Sequence, residues 1–233
     1  IAYQRDIVTF SDFLNLNELH ILQSIPKNEL STRYDLFGGY EYAERQMVAF
    51  LPDALCYEYE YPIDVLRVSA VHRKYAESLT HRDYLGALLN LGIERSKIGD
   101  LAVTDDSCLI FCHADMSDFV CREFTRVRHT LISVEKMQLS EFHYMPERAE
   151  IKGNVSSIRL DSVLSSAFPM SRSKLVGYIE GGKVFVNGKM ITSNGYRLKE
   201  NDIISVRGMG RIQYDSVISE TKKGRYFIRL YKY

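Results

Sequence analysis

Ser171-Arg172-Ser173-Lys174-Leu175-Val176-Gly177-Tyr178-Ile179 is followed by Gly181-Gly182 and then by Lys183-Val184-Phe185-Val186-Asn187-Gly188. The first nine residues predict a helix capped by Ser171, with Leu175, Val176 and Ile179 on its inward face and the glycine pair stopping it. Lys183 to Val186 predicts a strand, and Asn187-Gly188 predicts a tight turn, because both positions accept positive φ. The first turn of the helix is the informative part. Arg172 and Lys174 place positive charge where the helix macrodipole is already positive, which costs about 0.3–1 kcal/mol each. Stability alone would favour Asp or Glu there. Free backbone N–H groups, a capping serine and two cations at one helix start make a phosphate site instead.

Upstream, Leu160, Val163, Leu164 and Ala167 recur at i, i+3, i+4 and i+7, a short amphipathic helix that Pro169 ends. Downstream, Asn201-Asp202 predicts a turn into a strand from Ile203 to Val206. Further cations crowd the same region: Arg159, Lys183, Lys189, Arg207, Arg211, Lys222, Lys223 and Arg225. Residues 155–233 hold 14 Lys+Arg against 6 Asp+Glu, a net charge of +8, so the remainder carries −8 and the whole chain zero. That asymmetry fits a polyanion-binding module joined to an acidic partner region. Arg207-Gly208-Met209-Gly210-Arg211 and Lys222-Lys223-Gly224-Arg225 are loop-like stretches in which glycine lets backbone approach a phosphate. Neither has the G-x-x-x-x-G-K spacing of a nucleotide-binding loop. Residues 146–154 are polar, contain Gly153 and lack a periodic apolar face, so they are expected to be a linker.

Arg159-Leu160-Asp161, Ser171-Arg172-Ser173-Lys174, Ile179-x-x-Gly182-x-Val184-x-Val186-Asn187-Gly188 and Asp202-x-Ile204 resemble the S4 domain over most of residues 157–206. The resemblance implies two helices docked on a small sheet, with the Ser-Arg helix and the following strand as an RNA face for structured ribosomal or transfer RNA. Phe168-Pro169-Met170 departs from the general pattern in being apolar between the helices. Phe37-Gly38-Gly39-Tyr40, Thr80-His81-Arg82-Asp83-Tyr84-Leu85-Gly86, Leu91-Gly92-Ile93 and Ile98-Gly99-Asp100, with the two glycine-containing basic loops, are similar to the YlmH type of bacterial S4 proteins along almost the whole chain. That family is encoded beside cell-division genes and linked to the ribosome, at a large-subunit site with bound tRNA. Charge and resemblance together nominate Arg159, Ser171, Arg172, Ser173, Lys174, Lys183, Asn187, Lys189, Arg207, Arg211, Lys222, Lys223 and Arg225 as RNA contacts.

The expected fold class is α+β, in four parts: residues 1–63, 64–145, the linker 146–154 and an RNA-binding S4 domain at 155–233. Over 64–145 the elements read β-α-β-β-α-β. Leu66, Val68 and Ala70 alternate on a strand, and Thr80 caps a helix that carries Leu85, Leu88 and Leu89. Leu101 to Val103 and Cys108 to Cys112 form a hairpin. Asp115 or Ser117 caps a second helix with Val120, Phe124 and Val127 on one face, and Leu131 to Val134 closes the unit. This order resembles a ferredoxin-like plait, the topology of RNA-recognition motifs. Cys108-Leu109-Ile110-Phe111-Cys112 lacks the basic, multiply aromatic pattern that stacks bases, so scaffold or protein contact stands beside direct RNA contact. His81 and Arg82, at a helix start, are secondary candidates for a phosphate. Within 1–63, Asn17 to Ile25 predicts a helix, Tyr34 to Tyr40 a strand running into a glycine turn, and Glu41 to Phe50 a further helix. Tyr34, Phe37, Tyr40 and Tyr42 are expected in a core. Tyr57-Glu58-Tyr59-Glu60-Tyr61 is acidic and does not invite nucleic acid.

No catalytic residues, metal or cofactor are expected. The six histidines lack ligand spacing and no glycine-rich cofactor loop follows a strand. Asp161 opens the first basic-region helix with only 72 residues beyond it, too few for the catalytic domain of a pseudouridine synthase. Cys108 and Cys112 would lie about 13 Å apart on one strand, too far for a disulfide, so free buried thiols in a cytoplasmic protein are expected. No apolar run reaches the roughly 18 residues of a membrane helix. The chain opens on Ile1 rather than Met, so the native start is expected upstream. The reading is a non-catalytic protein whose partners are structured RNA and the ribosome, with a possible protein partner for the N-terminal part. An RNA-modifying enzyme with a site in residues 1–145, or a cell-division adaptor, are the alternatives.

Overall fold

The computed structural model describes residues 2–53, 58–139 and 147–233. In chain order the N-terminal elements are α1 (Ala2–Arg5), β1 (Thr9–Phe10), α2 (Leu16–Ser24), β2 (Arg33–Phe37), β3 (Met47–Leu51) and β4 (Ile63–Ala70). Then come α3 (His81–Asn90), β5 (Ile98–Val103), β6 (Ser107–His113), α4 (Ala114–Glu123), β7 (Arg126–Val127) and β8 (Thr130–Met137). The C-terminal elements are β9 (Ala149–Val155), α5 (Leu160–Ala167), α6 (Arg172–Glu180), β10 (Val184–Val186), β11 (Lys189–Met190), β12 (Ile203–Val206), β13 (Gly210–Glu220) and β14 (Tyr226–Lys232). Two units result: residues 1–15 with 25–145, and residues 16–24 with 146–233.

The first unit is built on an antiparallel sheet of order β5-β6-β4-β8-β7, whose elements follow one another along the chain as β4-α3-β5-β6-α4-β7-β8. Strand alternation divides its side chains. Leu66, Val68, Cys108, Ile110 and Cys112 turn to one face and pack with Tyr84 and Leu88 of α3 and Val120 of α4. Ile63, Val65, Leu109 and Phe111 turn to the other and pack with Phe13, Tyr40, Ala43 and Met47. The first face is covered, whereas the second is covered over β5, β6 and the start of β4 and open beyond, where Arg67, Leu131, Ser133 and Glu135 are exposed. Phe111 is fully buried, its ring 5.0 Å from that of Tyr40, so no aromatic platform is left open there for bases. Burial pushes the Cys108 thiol up to about 12, and Cys112 higher still, which keeps both protonated. Cys56 lies outside the described residues.

Two expectations are corrected here. Residues 41–46 are not helical: Asp100 accepts hydrogen bonds from the Tyr40 hydroxyl (2.7 Å) and from the N–H groups of Glu44 (2.7 Å) and Arg45 (3.1 Å). Donors that a helix would use internally are thus given to a distant carboxylate. The apolar run that follows becomes β3, the centre strand of a β1-β3-β2 sheet, buried on both sides. Such runs fit strand or helix equally by pattern. The cap of α4 is His113, whose Nδ1 accepts from the Asp115 N–H at 3.2 Å; neither Asp115 nor Ser117 takes that role.

In the second unit the antiparallel order is β11-β10-β12-β13-β14-β9. Val184, Val186, Ile204, Val206, Ile212, Ile228 and Leu230 form the floor on which α5 and α6 set Leu160, Val163, Leu164, Leu175 and Ile179. Asn187 (φ 49°) and Gly188 (φ 80°) make the expected tight turn between β10 and β11. α2 packs on β11, where the Met190 N–H donates to His20 Nδ1 at 3.2 Å.

The linker expectation fails. Ala149–Val155 is an edge strand paired with β14 over seven residues, from Tyr226↔Val155 to Lys232↔Ala149. Gly153 misled because it stands where an apolar side chain would face the core. A Cβ there would lie 2.2 Å from Ser166 Oγ on α5, so glycine is what lets the helix and strand approach this closely. Pro146 lies outside the described residues.

Candidate nucleic-acid interface

α6 starts at Arg172 with Ser171 in extended backbone (φ −63°, ψ 144°). Its hydroxyl does not cap the helix, contrary to expectation; it lies 3.3 Å from the Ser173 hydroxyl, and both serines are exposed. The N–H groups of Arg172 and Ser173 get no cap from the Ser171 side chain, while that of Lys174 donates to the Ser171 carbonyl at 3.1 Å; the Lys174 side chain is exposed. Among the described residues no acid pairs with Lys174.

Arg159 and Arg172 do have an acid. Asp161, 3% exposed in the first turn of α5, accepts two bonds from Arg159 (Nε and Nη2, both 3.2 Å) and two from Arg172 (Nε 3.2 Å, Nη2 2.5 Å). Arg172 Nη2 also donates to Ser162 Oγ at 3.3 Å. Burial works against the charged carboxylate, yet the Arg172 hydrogen bond and the charges of Arg172 and Arg159 prevail and hold Asp161 below its usual range. One negative charge faces two positive ones, so the cluster keeps an excess of +1. Both guanidinium groups stay about half exposed, 44% for Arg159 and 55% for Arg172. The arrangement aims two arginines beside the α6 start while fastening α5 to α6.

The remaining candidates do not form one cluster. Lys183, exposed, sets its ammonium 5.0 Å from the Tyr178 ring of α6 and belongs with Lys174. Asn187 is spent structurally: its side chain donates to Asp202 (2.8 Å) and accepts from the Ile203 N–H (2.9 Å), while Lys189 beyond it is exposed. Arg211 is opposite Ser205 in register, and Arg207 and Arg211 share the alternation of Phe185 and Ser205, which puts them on the sheet face away from α5 and α6. Arg207 lies 5.4 Å from the Phe185 ring and Arg211 5.4 Å from the Tyr233 ring. Lys222 and Lys223 stand exposed at the β13–β14 turn. Arg225 is held by Asn154, through Oδ1 (2.7 Å) and the backbone carbonyl (2.9 Å). In the first unit, His81 and Arg82 are exposed at the α3 start, but Asp83 fills that end. It accepts from the Thr80 N–H (2.8 Å) and hydroxyl (2.7 Å) and pairs with Arg128 (2.7 Å). A phosphate there would meet a carboxylate.

Arg197 was not nominated from the sequence. Its backbone bridges that of Arg159, and the two line a cleft of about 400 Å³ with Ser156, Ser157, Tyr214 and Tyr226. It comes from a segment with neither glycine spacing nor periodicity, so nothing local marked it.

Family models match at two places: "Putative RNA-binding domain in YlmH" over residues 57–141 and the S4 domain over residues 158–204. Over 231 residues the chain is 31% identical to "Ribosome-associated protein quality control protein P2" of Bacillus subtilis (strain 168), spanning 97% of this chain and 88% of that relative. The chain belongs to the YlmH family of S4-domain proteins. The solved structure of "Cell division protein ylmH from Streptococcus pneumoniae" aligns with a TM-score of 0.50 and 21% identity over 61% of this chain and 86% of that one, a likeness of fold. The S4 match takes in α5, α6, β10, β11 and the start of β12, and with them the Asp161 clamp and the α6 start. Strands β9, β13 and β14 lie outside it.

Proposed function

We propose that this YlmH-family chain is a non-catalytic, cytoplasmic RNA-binding protein of ribosome-associated quality control, docking its S4 unit on folded ribosomal or transfer RNA. The observation that carries this reading is the uncapped α6 start: exposed Ser171 and Ser173, N–H groups of Arg172 and Ser173 without a cap from the Ser171 side chain, Lys174 without an acid among the described residues, and two arginines aimed by one buried carboxylate. Donors fixed on a rigid helix end grip phosphates by shape and charge, the way helical RNA is chiefly recognised. The name of the Bacillus relative supports the ribosomal setting, and the family model over residues 57–141 supports a contribution from the first unit. With α3 and α4 covering one face of its main sheet, that unit would contact RNA or a protein partner through loops, helix ends or the exposed β4–β8 part of the other face. The non-catalytic reading is supported by how the reactive groups are spent: Asp161 holds two guanidinium groups and the buried thiols are kept protonated.

The test avoids Arg172→Glu, which would set a second carboxylate against Asp161 and damage the α5–α6 contact itself. Lys174→Glu with Lys183→Glu touches no ion pair among the described residues and is expected to weaken binding to ribosomes at least tenfold, about 1.4 kcal/mol. Co-sedimentation across a ribosome titration measures it. Binding as tight as that of the unaltered protein would remove the α6 face from the interface.

A further inference from the structure

The cleft that Arg197 shares with Arg159 lies on the side of the six-stranded sheet that carries α5 and α6. Tyr214 and Tyr226, which line it, follow the alternation of Ile212 and Ile228 toward that core. One wall is a short two-stranded ribbon, in which the Leu160 N–H donates to the Tyr196 carbonyl (2.9 Å) and the Leu198 N–H to the Ile158 carbonyl (3.2 Å). Arg159 and Arg197 therefore stand directly opposite each other as a non-hydrogen-bonded pair, the position in which side chains share a face and come closest. Like charges so placed cost stability. Arg159 has Asp161 to offset this, whereas Arg197 is exposed and meets no acid among the described residues. Tyr214 is only 2% exposed, yet its hydroxyl has no hydrogen-bond partner among the described residues. Burial, then the carboxylates of Glu200 and Asp215, push its pKa up, which places Glu200 near that hydroxyl. Glu200 lines the same cleft and is exposed, with no cation on it among the described residues. The volume, about 400 Å³, is in the range of small-molecule sites.

We propose that this cleft is a nucleotide pocket, which takes one unpaired base of the RNA docked on α6 and prefers a base with an exocyclic amino group. The proposal rests on the RNA-binding reading above and adds Arg197, Glu200, Tyr214 and Tyr226 to it. A phosphate held between the two arginines relieves their repulsion and gives Arg197 its missing counter-charge. Arg159 joins the two places: its guanidinium is tied to Asp161 beside the α6 start, and its backbone is part of the cleft wall. Ile158, Leu198 and the tyrosines supply apolar surface for a base that has left its helix. The Glu200 carboxylate only accepts hydrogen bonds, so it suits an amino group such as N4 of cytosine. Uracil would set its O4 against that carboxylate. An acidic peptide, drawn by the arginines, would meet the same repulsion.

Three probes test it with the full chain: a fully paired RNA hairpin, and the same hairpin with one bulged cytidine or one bulged uridine. The cytidine bulge is expected to bind about tenfold tighter than either of the others. Glu200→Gln should bring the two bulged hairpins within about threefold of each other. Arg197→Gln should weaken the cytidine bulge about fivefold while the paired hairpin stays within about twofold, and Arg197→Lys should recover part of that loss. Lys174→Glu with Lys183→Glu should weaken all three hairpins and keep the cytidine preference. Both Arg197 and Glu200 are exposed, and circular dichroism confirms that each variant is folded. Equal affinity of the unaltered protein for the three hairpins overturns the pocket and leaves the α6 reading standing. So does a cytidine preference that survives Glu200→Gln, or a bulge affinity that survives Arg197→Gln. Displacement of the bulged hairpin by an equimolar amount of free cytidine 5′-monophosphate would make a free nucleotide the occupant and overturn the RNA assignment. Failure of the unaltered protein to bind any hairpin ends both readings.

Discussion

Asp161 shows how one side chain can tie two helices together and at the same time aim cations toward the proposed RNA face. It is nearly inaccessible, and its two oxygens take four hydrogen bonds from two arginines whose outer halves remain in water. Its carboxyl is held below the ordinary range, so its contribution to stability is complete above the unfolded value of about 3.9 and is lost as pH falls through the lower folded value. Asp161→Asn keeps the shape and removes the charge. It is expected to lower stability by about 1–3 kcal/mol at pH 7, with the gap to the unaltered protein narrowing below about pH 4. Urea denaturation at pH 7 and at pH 3 measures both. An equal gap at the two pH values would mean that the carboxylate charge is not what binds the helices.

The elements that were legible from sequence are those whose causes are local. α6, β10 and the Asn187-Gly188 turn follow from helical spacing, strand alternation and a turn dipeptide, all within twenty residues. What escaped reading depends on partners far along the chain. Residues 41–46 give their N–H groups to Asp100, and Gly153 is glycine because Ser166 presses on it rather than because the chain bends there. The interface divides in the same way. Residue types at the α6 start nominate it as a candidate phosphate site, but the tie between Arg172 and Asp161, eleven residues earlier, did not show, nor did the splitting of the cations between two faces. β9 therefore yields a prediction. Gly153→Ala would drive a methyl into Ser166 and is expected to cost about 1–3 kcal/mol, read as a lowered urea midpoint. Ser166→Ala should be neutral or mildly stabilising, since that hydroxyl is buried and meets no hydrogen-bond partner, and it should restore part of the loss in the double variant. A midpoint unmoved by Gly153→Ala would mean that β9 does not press against α5.

For the whole molecule, a net charge of zero and an isoelectric point near 7.2 would suggest indifference to salt. The distribution of charge says otherwise, because binding depends on the cations that meet phosphates, and residues 155–233 carry a net +8. Every phosphate neutralised releases condensed counterions, so the logarithm of affinity should fall linearly with the logarithm of salt, with a slope of about −2 to −3 if the α6 site alone makes three such contacts. Lys174→Gln removes one contact and should make that slope shallower by about 1. Glu77→Gln, an exposed acid of the first unit, changes the net charge by the same amount and should leave the slope unaltered. Titrations of the full chain against one hairpin RNA between 50 and 200 mM potassium chloride would compare the three proteins. If the slope followed net charge, both substitutions would move it equally, in opposite directions; if it follows the α6 contacts, only the lysine change will register.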